Sequence, residues 1–182
     1  MTIRQSAAKN LCLCAMFSAL MAICSWISIP TTVPFTLQTF AVFVALSVLG
    51  GKAGTVCVVV YVLMGAMGIP VFSGFKGGIG VLAGPTGGYI FGFIFTALTV
   101  WLCQSLFGNK TIVTVIAMIA GLLMCYTIGT LWFVLVYVHK VGDISIGEVL
   151  GMCVFPFILP DMLKLFCAVI LSGRIKRRIK IS

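Results

Sequence analysis

The sequence predicts an all-α membrane protein, a compact bundle of six transmembrane helices with both termini on the cytoplasmic side. Three observations predict it. Of the 182 residues, 62% are hydrophobic and 8% charged, and the mean hydropathy is +1.25, well beyond the apolar share of a soluble domain. The apolar residues fall into six runs broken by charges, prolines and glycines, and at about 20 residues per crossing the chain has room for about six helices and little else. The basic residues divide unevenly between alternate loops, which is the signature of an oriented membrane protein. A single transmembrane domain over 1–182 is expected, with no soluble catalytic domain.

The spans fall at roughly 11–29, 36–49, 53–69, 88–107, 112–138 and 149–173. The first is long for the apolar core of a secretory signal and is followed by no small-x-small cleavage site, so it reads as a retained helix. Pro30 and Pro34 stop it and delay the next. The second and third runs are short for a bilayer and the fifth is long, which predicts local thinning, tilt or irregular ends instead of equal rods. Between the third and fourth lie Gly68, Gly74, Gly77, Gly78, Gly80, Gly84, Gly87 and Gly88. This loop is too apolar to float in water, and irregular backbone at membrane depth survives only against protein or a cavity. It is expected to fold into the bundle mouth. Gly84, Gly88 and Gly92 recur every four residues, the spacing that brings helix backbones together.

An even number of spans puts both termini on one side, and the charges choose the side. With the N-terminus inside, Arg4, Lys9, Lys52, Lys110, Arg174, Lys176, Arg177, Arg178 and Lys180 are cytoplasmic, Lys76 and Lys140 are outside, and Lys164 lies within the last span. The net charge of +9 is then a topology signal plus a basic tail suited to anionic lipid headgroups. Nucleic acid is not an expected partner, because no soluble module organises these charges. The eight cysteines show no CxxC pair or Cys/His metal spacing and read as small apolar packing groups. His139, Lys140, Asp143 and Glu148 read as a solvated loop cluster, so no metal site is expected.

Asp161 and Lys164 stand out chemically. Three residues apart, they share one helix face, and ionisable groups at bilayer depth point into protein or a wet cavity. They are read as ligand anchors. The competing reading is an ion pair that locks the last helix, but such pairs add little net stability over apolar replacements. In the first outer loop Phe35, Thr36 and Gln38 offer aromatic, hydroxyl and amide groups to a small polar ligand, with Thr36 or Thr39 equally able to cap the second span. In the glycine-rich loop Phe72, Phe75 and Tyr89 can wall a site. Lys76 can meet an anionic ligand group or stand solvated, and Tyr89 can be an interfacial anchor. Trp26, Trp101 and Trp132 read as packing or belt residues.

Four segments in register, Pro34-Phe35-Thr36-Leu37-Gln38-Thr39-Phe40, Gly68-Ile69-Pro70-Val71-Phe72, Gly84-Pro85-Thr86-Gly87-Gly88-Tyr89 and Pro160-Asp161-Met162-Leu163-Lys164, closely resemble BioY, the biotin-specific substrate-binding (S) component of energy-coupling factor (ECF) transporters. The resemblance spans nearly the whole chain. It implies a six-helix protein of the prokaryotic cell membrane that captures biotin from outside. It also implies partners: a transmembrane coupling protein and two cytosolic ATPases. Ala15 and Ala19 match the family's AxxxA pattern for contacting the coupling protein, with Ser18 and Ala22 extending the small-residue face; contact within the bundle is the alternative. Biotin's ureido ring has two N–H donors and a carbonyl, so Asp161 can accept from the former while Lys164 donates to the carbonyl or the carboxylate.

Other classes fit less well. Gly50-Gly51-Lys52-Ala53-Gly54 lacks the spacing and the hydroxyl of a phosphate-binding loop, so ATP hydrolysis must come from partners and no cofactor is expected. A stand-alone secondary transporter for a small carboxylate-bearing vitamin would need a coupling-ion site, yet Asp161 is the one acidic residue placed at depth, and no inverted repeat is visible. With only three acidic residues, two of them in an outer loop, an enzyme lacks its catalytic constellation.

Overall fold

A computed structural model describes residues 3–31, 33–141 and 145–179, with side chains placed between residues 8 and 177 apart from 32 and 139–144. Thr32, Asp143 and Lys180, and the side chains of Arg4, His139, Lys140 and Arg178, lie outside the described residues. The elements run α1 (Ile3–Trp26), β1 (Ser28–Ile29), β2 (Phe35–Thr36), α2 (Gln38–Ala66), α3 (Ile79–Leu82), α4 (Gly87–Phe107), α5 (Thr111–Val141), α6 (Ile146–Cys153) and α7 (Phe155–Ile179). By length and apolar composition five stretches suit a membrane crossing, at 8–26, 38–66, 87–107, 111–138 and 146–177. Leu11, Leu102, Ile112, Leu131, Leu159 and Phe166 are exposed on the outside of the bundle, where lipid replaces water as solvent.

The stretch 38–66 is not one straight rod. Gly50 breaks it at φ +80°, ψ 169°, a conformation that glycine adopts at no steric cost. Beyond the break, a Cβ on Gly54 would lie 3.0 Å from the Cα of Leu46, and Gln38 Nε2 donates to Tyr61 Oη at 2.9 Å. In an unbroken helix Gln38 and Tyr61 would stand about 35 Å apart. The chain therefore folds back at Gly50 into two arms, 38–49 and 51–66, of about 18 and 24 Å. These match the second and third short runs of the sequence. At the fold, Gly51 rests against the backbone of Trp101 with no room for a side chain. Its N–H donates to Gln104 Oε1 at 2.6 Å, and Gln104 Nε2 donates to Thr114 Oγ1 at 2.8 Å, tying α2, α4 and α5 together.

α2 is the centre of the bundle, packed against α1, α4 and α7, and Met21, Phe43, Leu46, Tyr61, Val100 and Met118 are fully enclosed around it. α4 and α5 approach through small residues. Gly88 and Gly92 meet Trp132 and Cys125, and Gly129 and Gly121 of α5 meet Tyr89 and Thr96 in return. The packing reading of Gly88 and Gly92 agrees with these contacts; Gly84 instead sits in the turn before α4, close to the carbonyls of Gly80 and Val81.

Three features depart from the sequence reading. The first helix ends at Trp26, short of 29: Ser28 pairs with Thr36 and Ile29 with Phe35 in a short antiparallel ribbon. The glycine-rich loop contains α3 and a tight turn in which Phe72 and Lys76 pair across residues 73–75. The last span is two helices, broken at Val154 (φ −127°, ψ −60°). Pro156 has no N–H to give to Met152, so the ladder cannot run through, and Phe157 and Ile158 bond to the carbonyl of Val154 instead.

Candidate functional site

The broken segments meet around a chamber of about 320 Å³, at the lower end of the range for small-molecule sites, roughly 300–1,000 Å³. Its walls come from the first loop and the start of α2, the turn at 72–76, α4, α5, α6 and α7. Irregular backbone lines it, as the membrane setting requires.

Asp161 and Lys164 lie on this wall, 3% and 7% exposed. They sit one turn apart on α7, and Lys164 Nζ is 2.8 Å from Asp161 Oδ1. The ammonium also donates to the carbonyl of Thr36 at 2.7 Å and lies 4.2 Å from the centre of the Phe35 ring. Two of its three N–H groups are thus committed, to a carboxylate and a carbonyl, while the charge lies over an aromatic face. The other carboxylate oxygen, Oδ2, accepts from Tyr126 Oη at 2.7 Å. The pair is neutral as a whole, which is what allows both charges to be kept from water. Each carboxylate oxygen keeps a further lone pair for a ligand donor.

Of the nine residues that the sequence offered for ligand contact, the chamber brings together Asp161, Lys164, Tyr89, Lys76, Thr36, Gln38 and Phe72. Phe72 is buried edge-on against Tyr61, its ring seated over Gly65. Tyr61 Oη donates to the carbonyl of Val71 at 2.8 Å, so its oxygen accepts from Gln38 Nε2. The network thereby fixes which way the Gln38 amide points and leaves its carbonyl oxygen free of the Tyr61 contact. Tyr89 shares a hydrogen bond with Thr130 at 3.1 Å, and Thr36 Oγ1 accepts from the Gln38 N–H at 3.2 Å, so Thr36 satisfies an amide at the start of α2 while also lining the chamber.

Phe35 and Phe75 are not among the lining residues. Phe35 stands behind the wall, its ring under the Lys164 ammonium and stacked on Phe157 with 5.9 Å between ring centres. Phe75 is at the tip of the 72–76 turn in the left-handed region (φ +57°). It is 64% exposed and stacked on Trp26 at 4.9 Å. Trp26 and Trp132 also do more than pack, donating to the carbonyls of Pro70 and Gly84, each at 2.9 Å. On α1, Ala15 and Ala19 face outward as expected, but Ser18 and Ala22 are buried, and Ser18 donates to the carbonyl of Cys57 at 3.1 Å. The small-residue face is therefore confined to Ala15 and Ala19. Glu148 is not idle, because it completes a capping box with Ser145 at the start of α6.

Sequence reasoning missed Tyr126, Phe93 and Phe157, which also line the chamber. Tyr126 carried a usable signal, a hydroxyl in the middle of an apolar span; the others are ordinary residues brought together only by packing.

Fold and chamber together define a multi-pass helical membrane protein with the S-component architecture. A crystal structure of the S-component for biotin from an ECF-type ABC transporter has the same fold, with a TM-score of 0.82 at 24% identity over 98% of this chain and 95% of that one. Residues 1–181 match the BioY family, and the chain belongs to that family. The biotin transporter BioY of Thermotoga maritima is 44% identical over 93% of this chain and 96% of its own length. A probable biotin transporter BioY of Pyrococcus horikoshii is 38% identical over 93% and 97%.

Proposed function

We propose that this protein is the biotin-binding membrane subunit of an ECF-type vitamin importer, working as one substrate-binding unit in the prokaryotic cell membrane. The observation that carries the reading is the chamber with a charge-balanced, buried acid and base on its wall, in a chain whose family relatives are named biotin transporters. Six spans follow if the two arms of α2 each cross a thinned part of the bilayer, and both termini are then cytoplasmic, in line with the basic residues. On this topology the loops that carry Thr31 and Lys76 to the chamber lie on the outer side.

Biotin suits this wall. Its ureido N–H groups donate to Asp161, its ureido carbonyl accepts from Lys164, and Phe72, Phe93 and Phe157 surround the apolar ring. Lys76 and the second amide N–H of Gln38 serve the carboxylate end. Energy comes from partners, a transmembrane coupling protein that docks on the Ala15/Ala19 face and two cytosolic ATPases. Calorimetric titration of the detergent-purified protein with biotin, desthiobiotin and biotin amide tests the reading. Saturable binding of biotin is expected, together with weaker binding of the amide, which places a cation at the carboxylate. No binding of biotin would sink the proposal.

A further inference from the structure

We infer that Tyr126 is a specificity-determining positioning residue, which holds Asp161 so that this pole of the chamber accepts neutral N–H donors. The inference rests on the biotin reading above and adds to it the reason for discrimination. Tyr126 is on α5, 9% exposed, and lines the chamber beside Asp161. Its hydroxyl donates to Asp161 Oδ2 at 2.7 Å. That is the sole side-chain hydrogen bond joining α5 to α7 among the described residues.

A hydroxyl has one proton, and here it is committed to the carboxylate. What Tyr126 then offers toward the chamber is its oxygen lone pairs. Asp161, held at one oxygen by Lys164 and at the other by Tyr126, offers lone pairs as well. Lys164 has already directed two of its three N–H groups at Asp161 and the Thr36 carbonyl. The pole is therefore rich in acceptors and poor in free donors, and its net charge is already balanced. A neutral ligand end with paired N–H groups is satisfied there, whereas one with oxygens in their place sets acceptor against acceptor, leaving buried polar groups unpaired. Tyr126 also fixes the carboxylate plane. Without it Asp161 is tethered at one oxygen and can turn about χ2, a torsion with broad wells.

The test pairs a change in the protein with a matching change in the ligand. Affinities are measured for biotin and for its cyclic-carbonate analogue, in which both ring N–H groups become oxygen, on the unsubstituted protein and on Tyr126→Phe. A residue that merely joins two helices would weaken both ligands alike. The positioning role weakens biotin by about tenfold, the scale of one hydrogen bond to a charged group, and leaves the carbonate nearly unchanged, so the preference for biotin shrinks by about that factor. An unchanged preference in Tyr126→Phe, with biotin still bound by the unsubstituted protein, overturns the role of Tyr126 alone. Failure of the unsubstituted protein to bind biotin overturns both readings. A second measurement needs no loss of the hydroxyl: with 3-fluorotyrosine at position 126, the fluorine resonance shifts when biotin is added and stays in place with the carbonate. The same resonance unmoved by saturating biotin would also overturn the inference.

Discussion

Asp161 and Lys164 form the one ion pair among the described residues, and their energetics separate binding from stability. Removing either partner strands a buried charge, a loss of about 3–5 kcal/mol, whereas replacing both with neutral groups of similar volume is close to neutral. Asp161→Ala and Lys164→Ala are therefore expected to insert into the membrane but to melt earlier and to lose biotin affinity by about 100-fold, the scale of two lost hydrogen bonds to charged groups. The double variant Asp161→Asn/Lys164→Met recovers thermal stability and not affinity. A double variant that binds biotin normally would remove the pair from the site. The pair itself was legible in the sequence because charge in an apolar helix is conspicuous. Tyr126 showed only as a hydroxyl in an apolar span, and its role became readable when α7 brought a carboxylate to it.

At the scale of the element, the loop between α2 and α3 depends on close approach. A Cβ on Gly65 would occupy the space of the Phe72 ring, and the Gly65 carbonyl accepts from the N–H groups of Gly68 and Gly78, at 3.1 and 2.6 Å. Gly65→Val is thus expected to displace Phe72 from the chamber, lowering stability by about 1–3 kcal/mol, as overpacking does, and weakening biotin binding by about tenfold. Gly151→Val, at an exposed position on α6 with open space around it, is the control and should change neither. Melting and titration of the two variants side by side decide it; equal behaviour would show that Phe72 is free to move. The glycines marked this loop in the sequence, but the division between Phe72 inside and Phe75 outside was set by the cross-turn pairing of Phe72 with Lys76. No periodicity records such a pairing.

At the scale of the whole molecule, the proposed function needs a surface on which a coupling partner can dock. The outward face of α1 combines Ala15 and Ala19 with exposed Leu11, Met16 and Ile23, and small residues on such a face let another helix come close. Ala15→Trp/Ala19→Trp is expected to leave biotin binding intact while abolishing biotin-stimulated ATP hydrolysis after reconstitution with the coupling protein and ATPases. Stimulation at the unsubstituted level would move the docking surface elsewhere. Ser18, which the spacing alone placed on the same face, is buried against the carbonyl of Cys57. A four-residue repeat fixes relative position along a helix but not how far the helix is rotated into its bundle.

The sequence by itself determined the membrane class, the family and the buried charge pair, since each follows from what a bilayer tolerates or from residues adjacent in the chain. The fold-back at Gly50 was foreshadowed by the charge and glycines at that break. Only the tertiary structure decided which aromatic rings enter the chamber, that Thr36 lends its carbonyl to Lys164, and that Tyr126 completes the shell of Asp161. Those contacts join residues 35 to 128 positions apart in the chain, and it is packing, not local preference, that brings such residues within hydrogen-bonding reach.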